Sequence, residues 1–248
     1  MSYGEYAGAT PAADQGEQAL RAEMIRIGQL MHQRNYVTAT DGNLSVRLDA
    51  GRFLVTPSGL SKGYMRPEQL VVIDWDARPL PSENGSPPHL APSSEILLHL
   101  EAYRQRPDIR AVVHAHPLHT IVLSMAGVSP MACPLPEVVV TLGVIATAEY
   151  ATPASPEGAT VIRDLIRQHD AIVLQRHGSV TVGGSLFDAY LKLEKLENGA
   201  EITYKLRTLG GSLPFPPGAL DKLIDKREKM GLLRPGEREA IRRAVGQG

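Results

Sequence analysis

Apolar positions first recur along the chain at helical spacing. Leu20, Met24, Ile27 and Met31 are separated by 4, 3 and 4 residues, a stripe that predicts an amphipathic helix running to about Gln33. The pattern then shortens. LSVRL (44–48) and RFLVT (52–56) flank Asp49-Ala50-Gly51 and predict a β-hairpin, and LVVID (70–74) predicts another short buried strand. Residues 76–92 carry six prolines or glycines and read as a loop. A helix is predicted from Ser94 to about Gln105, stopping before Pro107, followed by a strand over AVVHAH (111–116) and a short helix from Pro117 to Met125.

Farther on, VVVTL and VIATA (138–148) are β-branched, interrupted by Gly143, and predict one or two strands. Pro156 to Gln168 reads as a helix with proline in its first turn. AIVLQ (171–175) and SVTVG (179–183) predict strands on either side of Arg176-His177-Gly178. A long helix follows, about Leu186 to Leu209, ended by Gly210-Gly211, and two short helices close the chain after the prolines at 214–217. Strands and helices interleave, but the hairpin signals exclude a purely parallel sheet. The expectation is one α/β domain over 17–211 with a mixed, largely antiparallel sheet between helices. A flexible tail (1–16) would precede it and a C-terminal helical appendage (212–248) would follow.

Composition narrows the function classes. The 26 basic and 27 acidic residues of the 248 leave a net charge of -1 with no block of one sign, so no nucleic-acid or membrane partner is expected. Hydrophobic residues make up 43% and aromatics 5%, so aliphatic side chains must supply the core. The one cysteine, Cys133, rules out an intramolecular disulfide and points to a reducing compartment. No apolar run reaches the roughly 20 residues of a membrane helix, and the first residues lack the charge-then-apolar order of a secretion signal. A cytoplasmic enzyme is the default.

The chemistry lies in the histidines and one glutamate. His114 and His116 stand two apart on a predicted strand, so both side chains leave the same face. His177 lies in a tight turn beside Gly178. Three neutral imidazoles can hold a divalent ion and leave a position for substrate, the pattern of a catalytic zinc site. Pro92-Ser93-Ser94-Glu95 opens a predicted helix, whose N-terminal N–H groups and serine hydroxyls suit phosphate; Glu95 beside it would be a general base. Asn43, Ser58 and Gly59 sit at the outer ends of the hairpin and offer neutral donors. None of these features is specific alone. HxH pairs arise by chance, Ser and Glu are ordinary helix-start residues, and Asn, Ser and Gly are ordinary turn residues. His119 reads as a decoy or a supporting group, and His32, His89, His99 and His169 as surface or packing residues.

Together, GNLSVR (42–47), TPSG (56–59), PSSE (92–95), VVHAHP (112–117) and QRHG (175–178) resemble, in order, the class II aldolase/adducin family. The resemblance implies a three-layer α/β/α fold and a C4 homotetramer with sites between subunits. It implies one divalent metal per subunit on His114, His116 and His177, zinc foremost, with manganese, iron and cobalt compatible. It implies that Glu95 moves a proton at substrate carbon and that Asn43, Ser58, Gly59, Ser93 and Ser94 bind a phosphate. The reaction would be reversible cleavage of a ketose 1-phosphate into dihydroxyacetone phosphate and an aldehyde. Decarboxylation, 4-epimerisation and dehydration of sugar phosphates are the alternatives the same apparatus supports. Adducin-like scaffolds lose the metal histidines, and this chain keeps all three. One departure stands out: at about the position where an aldolase of the family places a tyrosine acid, Leu135 is found, beside Pro136 and Glu137, and Glu137 is either a replacement acid or a structural residue.

Overall fold

The computed structural model of the protein describes residues 16–81 and 90–246. The apolar stripe at the start forms α1 (Glu17–Gln33), with Met24, Ile27 and Met31 fully buried. The hairpin forms as β1 (Asn43–Arg47) and β2 (Phe53–Val55), antiparallel, and β3 (Val71–Ile73) extends it. Next come α2 (Ile96–Gln105), β4 (Ala111–Ala115) and α3 (Leu118–Met125). β6 (Ala171–Leu174) and β7 (Gly178–Gly183) flank the His177 turn, and α6 (Leu186–Thr208) follows.

With β5 (Ala146–Ala148), seven strands among the described residues make one sheet in the order β3-β2-β1-β4-β7-β6-β5. All neighbours are antiparallel except the pair of β5 with β6. One face is covered by α1 and α6 through Met24, Ile27, Leu44, Val113 and Leu193; the other carries α2, with Leu100 and Tyr103 against Phe53, Val112 and Val180. The result is a three-layer α/β/α arrangement around a mixed sheet. Burying each such aliphatic side chain contributes roughly 1.5–3 kcal/mol, and with few aromatics the two aliphatic layers carry the core.

Two elements differ from the sequence pattern. VVVTL is not a strand: Pro136–Thr141 form a helix, α4. Pro136 presets its first turn, and the consecutive valines face different neighbours. Val138 packs with Met131 and Leu196, while Val139 packs with Ile224 and Ile241. A strand would alternate these side chains between only two faces, so packing overrides β-propensity here. The helix from Pro156 is also broken. α5 (Pro156–Thr160) is capped by the Ser155 hydroxyl accepting from Gly158 N–H, and after a turn only a 3₁₀ segment, Leu165–Arg167, continues. Gly158 and Thr160 are weak helix formers, while Ile162 and Ile166 still bury against the α2 side.

The closing helices are α7 (Ala219–Lys229) and α8 (Glu237–Gly246). They pack on α4, and the Arg227 guanidinium lies buried against Glu237 (Nη2–Oε1 3.0 Å) while donating to the Val140 carbonyl. Residues 1–15, most of the expected tail, and His89 lie outside the described residues. No helix among the described residues is long and apolar enough to cross a membrane.

Candidate active site

The site is built on the two central strands. β4 lies between β1 and β7, so His114 is fully buried with Asn43 opposite it on one side and Val180 on the other. His116 is the first residue past β4, and its N–H donates to the Tyr36 carbonyl, which fixes the chain where it leaves the sheet. His177 is delivered by the β6–β7 turn, tightened by its N–H to the Leu174 carbonyl and by Arg176 at φ 62°. Gly178 is required beside it: a Cβ there would fall 2.2 Å from the Ala115 carbonyl oxygen and 3.0 Å from the His116 ring. That close approach brings the turn histidine onto the strand pair.

Glu95 reaches this cluster from the start of α2. Sequence pattern offers it as a helix cap, but its carboxylate makes no capping hydrogen bond. Instead Oε2 accepts from the Asn43 amide (3.2 Å) and lies 3.3 Å from His114 Nε2, while Oε1 lies 3.2 Å from His177 Nε2. The ligand atoms of Glu95, His114, His116 and His177 all fall within 4.8 Å of one another, a group that could hold a metal ion.

The tautomers make the fit chemical as well as geometric. His114 Nδ1 faces the Ser179 carbonyl at 3.0 Å, an acceptor only, so Nδ1 carries the hydrogen. His116 Nδ1 faces the Asp41 carboxylate at 3.4 Å and is oriented the same way. The two Nε2 atoms, left with lone pairs in the neutral rings, meet at 3.0 Å. Lone pairs pointed at each other and at a carboxylate call for a cation between them. Burial, then the charges of His114 and His177, pulls the His116 pKa down to about 4, so it is neutral and ligand-ready at pH 7. Burial alone would raise the Glu95 carboxyl; hydrogen bonds and charge from His114 and His177 overcome it and hold the group well below the usual carboxylate range.

The segments that carry Ser58 and Ser93 are tied together beside Asn43. Segments 56–58 and 91–93 run side by side, with Pro57 bridged to Pro92, Ser58 N–H on the Ala91 carbonyl and Ser93 N–H on the Thr56 carbonyl. The Thr56 hydroxyl accepts from Leu44 N–H, tying that pair to the residue after Asn43. Gly59, at φ +74°, faces open space, and Ser58 and Ser94 are exposed. Ser94, Glu95, Gln175 and His177 line a cleft with Glu149 and Ala154. Glu137 is elsewhere: it is exposed in the first turn of α4. His119 turns away to the Glu197 carboxylate at 2.8 Å, and His99 is fully buried with Nδ1 on the Ser45 hydroxyl.

Sequence reasoning passed over two residues. Asp41 stands behind His116. Lys62, 2% exposed, donates from Nζ to the carbonyls of Thr40 (2.7 Å) and Leu60 (2.6 Å), joining the loop before Asn43 to the loop after Gly59. A lysine inside a segment flanked by short strands, three residues past TPSG, was the only signal in the sequence.

A mixed sheet that presents three imidazoles and a carboxylate at one mouth defines a candidate metal centre of an α/β enzyme fold. Comparison with known proteins places it. The family model for the Class II Aldolase and Adducin N-terminal domain matches residues 22–204, and the chain belongs to that family. It is 33% identical over 187 residues to an L-fuculose phosphate aldolase of Methanococcus maripaludis, covering 75% of this chain and 97% of that one. It is 35% identical over 194 residues to a 3-oxo-tetronate 4-phosphate decarboxylase of Escherichia coli, covering 77% and 88%. Among solved structures, YgbL of Escherichia coli superposes with a TM-score of 0.73 at 33% identity, covering 84% and 98%.

Proposed function

We propose that the protein is a metal-dependent carbon–carbon lyase acting on a sugar phosphate, cleaving a ketose 1-phosphate of the L-fuculose 1-phosphate type into dihydroxyacetone phosphate and an aldehyde. The observation that carries this reading is the Glu95 carboxylate, drawn off its helix end into the three-imidazole cluster. A divalent ion on His114, His116 and His177, zinc being the one such a set suits best with manganese, iron and cobalt compatible, would supply Lewis acidity toward the substrate's carbonyl and hydroxyl oxygens.

The chain's own groups do the rest. In the synthetic direction the Glu95 carboxylate takes the proton from the hydroxymethyl carbon of dihydroxyacetone phosphate, and in cleavage its carboxyl form returns that proton to the same carbon. Asn43 holds the carboxylate from the side. Ser58, Gly59, Ser93, Ser94 and Asn43 ring the mouth with neutral donors suited to the substrate phosphate, whose binding orients the reacting end. Glu137 is the acid candidate for the aldehyde oxygen; from its exposed place on α4 it serves a site only across an assembly. We take that assembly to be a C4 homotetramer, in keeping with exposed Leu118, Met125, Leu191 and Tyr204 on α3 and α6. A cytoplasmic setting accords with the single, unpaired Cys133.

A second reading is decarboxylation of a phosphorylated 3-oxo acid. It is favoured by Leu135, which stands where an aldolase of this kind would carry its tyrosine acid. Carbon dioxide leaves without needing an acid on an aldehyde oxygen, and the carbon left behind still needs the proton Glu95 can deliver. A panel of ketose 1-phosphates and 3-oxo acid phosphates, assayed for aldehyde and for carbon dioxide release, decides between them. Release of neither product by metal-loaded protein rejects both. Light scattering on the purified protein tests the tetramer.

A further inference from the structure

Lys62 carries a buried charge. Its ammonium is held by two backbone carbonyls, and among the described residues no carboxylate makes an ion pair with it. A buried ion met only by neutral dipoles is costly. If its role were only to tie the Thr40 and Leu60 loops together, a neutral donor pair would do so without burying a charge. The two carbonyls engage two of the three ammonium hydrogens. Burial lowers its pKa to about 8, and the charges of Asp41 and Glu95 oppose that fall, so the ammonium form prevails at pH 7.

Its place in the fold gives the charge a use. The loops it joins carry Asn43 on one side and Ser58 and Gly59 on the other, the neutral donors of the mouth. Those donors are uncharged, whereas a phosphate monoester carries about −1.5 to −2 at pH 7. We propose that Lys62 is the buried countercharge for a phosphate group bound between these loops, and that it sets the protein's preference for phosphorylated over unphosphorylated substrates. This rests on the phosphate-binding reading of the mouth given above and names the residue that makes the binding selective.

The test is binding of inorganic phosphate to the full-length, metal-loaded protein by calorimetry, which needs no turnover. Lys62→Gln keeps donor hydrogens and removes the charge. It is expected to weaken phosphate binding about tenfold or more, with metal content unchanged. In proton exchange on dihydroxyacetone phosphate, the loss should fall on KM more than on kcat, moving KM toward the value for unphosphorylated dihydroxyacetone. Equal phosphate affinity in Lys62→Gln and the parent overturns the role of Lys62 and leaves the phosphate reading standing. Absence of phosphate binding in the parent itself overturns both. Should Lys62→Gln fail to fold, the ¹⁵N-labelled parent decides: the slowly exchanging ammonium signal of buried Lys62 is expected to shift on titration with phosphate, and an unmoved signal at saturation overturns the proposal.

Discussion

Two of the places where the protein buries charge are built on opposite principles. At the seam of the closing helices, Arg227 and Glu237 meet through two bonds of 3.0 Å, the Val140 carbonyl takes a third guanidinium hydrogen, and Arg234 N–H satisfies Glu237 Oε2. Every strong group there has a complement. At the mouth of the sheet, two imidazole lone pairs face each other at 3.0 Å; among the described residues the Asn43 amide oxygen is buried without a hydrogen-bond partner, and Lys62 is held by carbonyls with no carboxylate in ion-pair contact. A complete set holds structure together. An incomplete one, kept in place by strands and a glycine contact, is open to a ligand that completes it. The two regions should therefore respond to substitution in opposite ways.

The largest effect is expected at the imidazoles. His116→Ala removes one lone pair from the cluster, yet the side chain is 21% exposed and the strand before it is untouched. Metal content by elemental analysis and turnover should both fall to background while the melting temperature without added metal stays near that of the parent. Full turnover by metal-free His116→Ala would sink the metal reading.

Glu95→Gln comes next. A helix cap lost would cost roughly 1 kcal/mol of stability and leave turnover nearly intact, but Glu95 makes no cap bond. The expected result is a fall of about 10²–10⁴ in exchange of the carbon-bound proton of dihydroxyacetone phosphate with deuterated water, with phosphate affinity kept. Exchange at the parent rate would remove Glu95 as the base.

The seam should show the reverse. Arg227→Met leaves Glu237 buried with its charge unmatched, and breaking a buried pair in this way costs about 3–5 kcal/mol. Denaturant unfolding should report that loss while metal content per folded protein is unchanged. A stable variant stripped of metal would mean the two regions are not independent.

How much of this was legible beforehand follows the same division. The strand pair and its HxH spacing could be read because side chains alternate with a period of two and the strands are short apolar runs. His177 was legible through its turn. Glu95 was legible only as a residue with two roles, because a sequence cannot tell a capping carboxylate from one rotated into a neighbouring cluster. α4 was missed because three valines in a row carry the strand signal, and what makes them a helix is the presence of α6, α7 and α8 around them. Lys62 and Asp41 were missed for a related reason: one of the two carbonyls that hold Lys62 is 22 residues away and the partner of Asp41 is 75 away, and such pairings have no local signature.

The smallest expected effect concerns His99, which lies between the two principles. It is fully buried one helical turn after Glu95, its Nδ1 is paired with the Ser45 hydroxyl, and its Nε2 has no partner among the described residues. Burial foremost, then the charge of His114, pulls its pKa from 6.5 to about 3. Between those values the unfolded chain binds a proton that the folded chain refuses. Stability contributed by keeping the ring neutral is therefore complete above pH 6.5 and is lost as pH falls toward 3. The slope is up to about 1.4 kcal/mol per pH unit. His99→Phe removes that titration, and Ser45 keeps its bond to the Tyr103 hydroxyl. The variant should be less stable at neutral pH from misfit, but its stability should fall less steeply than the parent's between pH 6 and 4. Because His116 and the carboxylates titrate in both proteins, the difference between the two slopes isolates His99. Parallel slopes would mean that the ring takes up its proton in the folded protein, and that the polar chain from Tyr103 through Ser45 to His99 is open to charge rather than sealed beneath Glu95.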